Sequence, residues 1–127
     1  MATLSSLHVP AATLAGTETL TNKTLTTPVI SGAAQEDQVS LTGTTPAITG
    51  VVQYWTLTGN STPTSSLADG ETAIVHIDDG TAYTITWTMV NQWIGGTAPT
   101  LATTGYTVVM IWRVNGTVYG THVGDLS

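Results

Sequence analysis

Aromatic residues are confined to one part of this chain. Its four tryptophans (Trp55, Trp87, Trp93, Trp112) and four tyrosines (Tyr54, Tyr83, Tyr106, Tyr119) all follow Val51; there is no phenylalanine, and residues 1–50 carry neither tryptophan nor tyrosine. Large apolar side chains dominate the area that a small domain can bury, so the core has to be built from residues 51–127. A chain of 127 residues is about one domain long and holds one modest core. The region before Gly50 is rich in Thr, Ala, Gly and Ser, its apolar residues are irregularly spaced, and Pro10, Pro28 and Pro46 block any long helix. We therefore expect an extended N-terminal arm over residues 1–50, with short strand pieces near Thr19 to Leu25 and Val39 to Thr42, followed by a β-domain over 51–127. Fully extended, such an arm reaches ~160 Å, enough to cross a neighbouring subunit.

Within the aromatic region the strand signals are local and repeated. Val52 to Thr58, Thr72 to Asp78, Ala82 to Thr88, Thr107 to Val114 and Thr117 to Thr121 are the candidate strands. Alternation sets Ala73, Val75 and Ile77 against Ile74, His76 and Asp78. Val108 to Trp112 is apolar on both faces, as in a central strand or one covered by another subunit. Asn115-Gly116 is a two-residue hairpin turn, Asp78-Asp79-Gly80 predicts another hairpin, and Asp69-Gly70 predicts a turn before Thr72. Short successive strands joined by tight turns predict an all-β fold, a small antiparallel sandwich or jelly-roll-like domain.

Two segments resemble a known family. Trp87, then Trp93-Ile94-Gly95-Gly96-Thr97-Ala98-Pro99-Thr100-Leu101, and a β-run closing on Tyr119-Gly120 look like the C-terminal β-domain of tailed-bacteriophage structural proteins. Upstream, Thr19-Leu20-Thr21-Asn22-Lys23-Thr24-Leu25-Thr26-Thr27-Pro28-Val29-Ile30 is similar to a stretch that recurs in phage fibre proteins, often just before such a domain. The resemblance implies a virion component of the tail-fibre or head-decoration type, and it brings no active site with it. Ser31 to Gly50 matches neither motif.

Composition narrows the function classes independently. Charged residues make up 8% of the chain, against roughly 25% in ordinary globular domains. A surface so poor in charge is expected to be covered in part by copies of the chain or by a partner. The formal net charge is −6 and Lys23 and Arg113 are the only fixed cations, so no basic patch exists to neutralise phosphates or anionic lipid, and we expect neither nucleic-acid nor membrane binding. With no cysteine there is no disulfide or thiolate site. Met1 to Pro10 lacks a signal-peptide pattern, which fits assembly in a host cytoplasm.

Candidate chemistry is thin. His76 and Asp78 share a strand face, with Asp79, Asp69 and Glu71 as further oxygen donors, and form the best metal candidate; the alternative is a polar face beside an Asp-rich turn. The acids lie mostly beside glycines, as turn formers do, and neither a Gly-x-Ser-x-Gly elbow nor a phosphate-cradling glycine loop is present. Trp55, Trp93 and Trp112 are the suspects for stacking on a sugar, against a role in core and interface packing.

The reading is a non-enzymatic virion protein without cofactor. Its expected role is that of a capsid decoration or cement protein that forms a homotrimer and clamps the major capsid protein or other virion proteins. The alternative is a short tail-fibre, head-fibre or adaptor subunit whose tip meets a host glycan. Leu20, Leu25, Val29 and Ile30 are the anchoring candidates in the arm, and Trp55, Trp87, Trp93, Val108, Met110, Trp112 and Tyr119 the core or interface candidates in the β-domain.

Overall fold

The computed structural model describes Thr19, residues 21–78 and residues 82–127. The chain divides into two compact units, Met1–Ala34 and Gln35–Ser127. All eight strands belong to the second: β1 (Val39–Leu41), β2 (Ala47–Ile48), β3 (Val52–Thr56), β4 (Thr64–Ser65), β5 (Thr72–Asp78), β6 (Gln92–Trp93), β7 (Tyr106–Val114) and β8 (Thr117–Leu126). The fold is all-β, with no helix among the described residues. It follows that none of those residues lies in a helix long and apolar enough to cross a membrane.

Six strands form one mixed sheet in the order β1-β3-β5-β7-β8-β6, while β2 and β4 form a separate two-stranded ladder. From β1 to β5 the chain alternates between the two ladders, odd strands in the large one and even strands in the small one. Each return to the large sheet runs in the same direction, so β1, β3 and β5 pair parallel, as do β2 and β4. Parallel neighbours need a crossover that carries the chain back to its starting edge, and here the small ladder supplies it where a helix commonly would. Three backbone hydrogen bonds lock that ladder: Thr62 N to Thr44 O, Thr64 N to Pro46 O and Ser66 N to Ile48 O, at 2.8–2.9 Å.

The second half of the sheet is antiparallel. β5 pairs with β7, and β7 with β8 through the expected Asn115-Gly116 turn, whose φ angles of 48° and 77° are those of a type I′ hairpin. The expected hairpin between Thr72–Asp78 and Ala82 to Thr88 does not form. Both edges of β5 are taken, by β3 and by β7, so the later segment makes only one parallel bridge, Ser61 with Ile85, beside the small ladder. Asp79 and Gly80 of the expected turn lie outside the described residues. A uniformly antiparallel sandwich is therefore not the observed arrangement, because the first three strands of the large sheet are joined by crossovers and not by hairpins.

The unit boundary also differs from the expected division at Gly50. Leu41 and Ile48 are buried members of the core cluster, so the residues from Gln35 on are part of the β-unit and not of an arm. No strand occupies the described residues between Thr19 and Leu25. Alternation sorts the large sheet as periodicity predicts: Trp55, Ala73, Val75, Ile77, Val109, Ile111 and Val118 face inward, to a core shared with Ile48, Leu57, Leu67 and Trp87. Trp55 is 0% exposed, and its indole Nε1 donates to Gly43 O at 3.2 Å, so the ring is buried without an orphaned donor.

The two tryptophans of the C-terminal motif meet. Trp87 and Trp93 pack edge to face with ring centroids 5.5 Å apart, and Trp93 pairs with Gly120 on β8. A Cβ at residue 120 would lie 2.7 Å from the Trp93 ring, so the glycine of the Tyr119-Gly120 dipeptide is what admits the indole. Gly120→Ala is expected to cost about 1–3 kcal/mol in urea unfolding and to weaken the near-ultraviolet dichroism of the tryptophan pair. Thr121→Ala, at a half-buried neighbour, should stay within about 0.5 kcal/mol of the parent.

Candidate functional site: the outer face of the large sheet

The inward residues of β3, β5 and β7 are matched by an outward set, which the register arranges in rows. One row is Val52, Ile74, Met110 and Thr121; the next is Ser40, Tyr54, His76 and Val108; a third is Thr72, Trp112 and Tyr119. This outward face is apolar and aromatic where a solvated sheet face is normally polar. Val52, Tyr54, Ile74 and Tyr106 are all exposed on it, Met110 and Trp112 are half-buried, and Trp112 stacks on Tyr119 at 5.8 Å with the planes 19° apart. Val108 is buried yet lies outside the core cluster, as expected of an outward residue in a central strand flanked by β5 and β8.

At one end of this face is an open cleft of about 460 Å³, lined by Gln38, Val52, Gln53, Tyr54, His76 and Tyr106. His76 meets the Tyr106 ring edge-on, with centroids 6.3 Å apart. Gln53 contributes its backbone side, because its own amide is turned inward and fully buried. There its Nε2 donates to Thr49 O and Val51 O, and its Oε1 accepts from Thr49 N, holding the tight bend that enters β3. A second cleft, about 380 Å³, lies by the Ile85 bridge between Tyr83, Pro99 and Leu101.

The expected site residues scatter. Trp55 and Trp87 are core, and Trp93 is half-buried against Trp87, so of the three sugar suspects only Trp112 reaches the outer face. Leu25, Val29 and Ile30 are exposed in the first unit, Val29 at 94%, and Leu20 lies outside the described residues. Two of the carboxylates expected beside His76 are engaged elsewhere. Asp69 accepts from Gly116 N at 2.8 Å and lies 3.2 Å from Arg113 Nε, while Glu71 accepts from Ala68 N at 2.9 Å. Among the described residues no three His, Asp or Glu side chains are grouped as metal ligands, and Asp79 is not among those residues. Arg113 does not project from the face either: its Nη1 donates to Leu67 O at 2.8 Å, which ties the loop before β5 to the hairpin.

Sequence reasoning missed the cleft. Tyr54 and Tyr106 were readable as outward by alternation, but Gln38 joins them only because β1 pairs parallel with β3. Comparison with family models, with curated proteins and with solved structures finds no match to this chain. Gln53→Leu is expected to lose about 1–3 kcal/mol in chemical denaturation, because Thr49 and Val51 keep their backbone polar groups and lose a buried partner.

Proposed function

We propose that the chain is a non-enzymatic virion structural protein that works by assembly, as a capsid decoration or cement protein whose homotrimer clamps neighbouring copies of the major capsid protein. The observation that carries this reading is the outward apolar face of the large sheet, with Met110, Trp112 and Tyr119 toward the β7–β8 turn. A monomer leaving the exposed parts of these half-buried side chains in water forgoes about 25 cal/mol for each Å² of apolar surface, and a three-fold ring of copies recovers it with closed symmetry. Support also comes from the two phage-like motifs and from a surface with few charges to keep copies apart. A short fibre or adaptor subunit is the second reading, favoured by the aromatic cleft at the edge of the same face.

Light scattering at micromolar concentration should give three times the chain mass, falling to one for Trp112→Lys with the circular dichroism unchanged; a monomeric parent protein overturns the trimer. Removing Met1–Ala34, the whole first unit, should abolish attachment to particles while leaving the β-unit's unfolding transition in place. A cut at Gly50 would instead remove β1, β2, Leu41 and Ile48, and is expected to unfold it. Immunogold labelling of intact particles should place this protein over the head; gold confined to the tail tip would assign the fibre role.

A further inference from the structure

We propose that the cleft between Tyr54 and Tyr106 is a binding site for an uncharged sugar. Its volume, about 460 Å³, falls in the lower part of the ~300–1,000 Å³ typical of small-ligand pockets. Both tyrosines are 42% exposed and line the cleft, and a tyrosine side chain joins an aromatic ring to a hydroxyl. That combination matches a pyranose, which presents an apolar face of C–H groups and a rim of hydroxyls.

The polar groups around the rings are free to bind. Among the described residues, neither the Tyr54 and Tyr106 hydroxyls, nor the His76 ring nitrogens, nor the Gln38 amide makes a hydrogen bond. Between them they supply donors and acceptors: two hydroxyls that do both, one imidazole with one of each when neutral, and an amide with both. A sugar hydroxyl also does both, and so finds a partner in either sense. The platform is rigid where it matters, since Tyr54, His76 and Tyr106 stand on three successive, hydrogen-bonded strands of one sheet.

Charge selects the ligand class. The chain carries −6, Asp78 lies two residues along β5 from His76 on the same face, and Arg113 is engaged with Leu67 and Asp69 near the opposite end of β7. No fixed cation lines the cleft, which therefore disfavours phosphate, sulfate or carboxylate groups. Trp112 is six residues from Tyr106 along one strand, about 20 Å, so a copy seated on the Trp112 end leaves the cleft open. The site consequently stands whether or not the chain belongs to a virion.

The test is a panel of immobilised neutral hexose and N-acetylhexosamine oligosaccharides, with sialylated ones alongside, probed with the full-length protein and followed by calorimetry on the best neutral hit. Neutral glycans should bind, and Tyr54→Ala, Tyr106→Ala and Gln38→Ala should each weaken them about tenfold, whereas Trp112→Ala should not. Gln38 is exposed and outside any strand, so that variant keeps the site testable if a tyrosine change perturbs the fold. No binding, binding of sialylated glycans alone, or binding indifferent to Gln38 and both tyrosines overturns the proposal.

Discussion

The rest of the structure depends on β5 having a partner on each edge. Its seven residues take β3 in parallel on one side and β7 antiparallel on the other, so the wound first half of the unit and the hairpin second half share one strand. Because a strand has only two edges, that pairing decides where every later segment can go. It excludes the residues after Asp78 from a hairpin with β5 and leaves Ile85 to a single bridge with Ser61. It also places Val75 against both Gln53 and Val109, at the centre of the core.

The join between the two halves is reinforced by few polar contacts, each made by a residue with little competition. Arg113 ties Leu67 O to the hairpin, Asp69 caps Gly116 N at the turn, and Gly70 N donates to Arg113 O at 2.9 Å. Ionic attraction between Arg113 and Asp69 adds little, since both side chains are more than a third exposed and screened by water. The hydrogen bonds matter more: they hold the loop before β5 against the β7–β8 turn, and so fix the register in which β5 enters the sheet. A chain with only two fixed cations has placed one of them at this junction.

On the outer face, burial and chemistry divide along the strands. Toward the β7–β8 turn the surface is large and apolar, suited to the proposed contact between copies; toward Tyr106 it becomes aromatic and amphipathic, with unused hydrogen-bonding groups. Both properties follow from one cause. Strand alternation turned the best core-formers inward, and the remaining aromatic residues had to go to the other face. The proposed assembly and the proposed sugar site are two uses of that surplus, at opposite ends of one sheet.

Much of the fold was legible in local pattern. β5 is where alternation placed it, β7 and β3 begin within a residue of expectation, and Asn115-Gly116 makes the turn its conformational freedom demands. The candidate site was less legible, since Trp55 and Trp112 look alike in sequence, yet one is core and the other lies on the outer face. What sequence alone determined was where the longer strands β3, β5, β7 and β8 begin and which side of β5 is apolar, because period-two alternation and turn chemistry act over a few residues; the short strands β2, β4 and β6 and the unpaired Ala82 to Thr88 escaped it. Which strands pair, in which direction, and which outward side chains meet in a cleft was decided only by tertiary structure. Those outcomes depend on edges satisfied by segments far apart in the chain, as when Gln38 reaches Tyr54 through β1 and Tyr106 reaches His76 through β7.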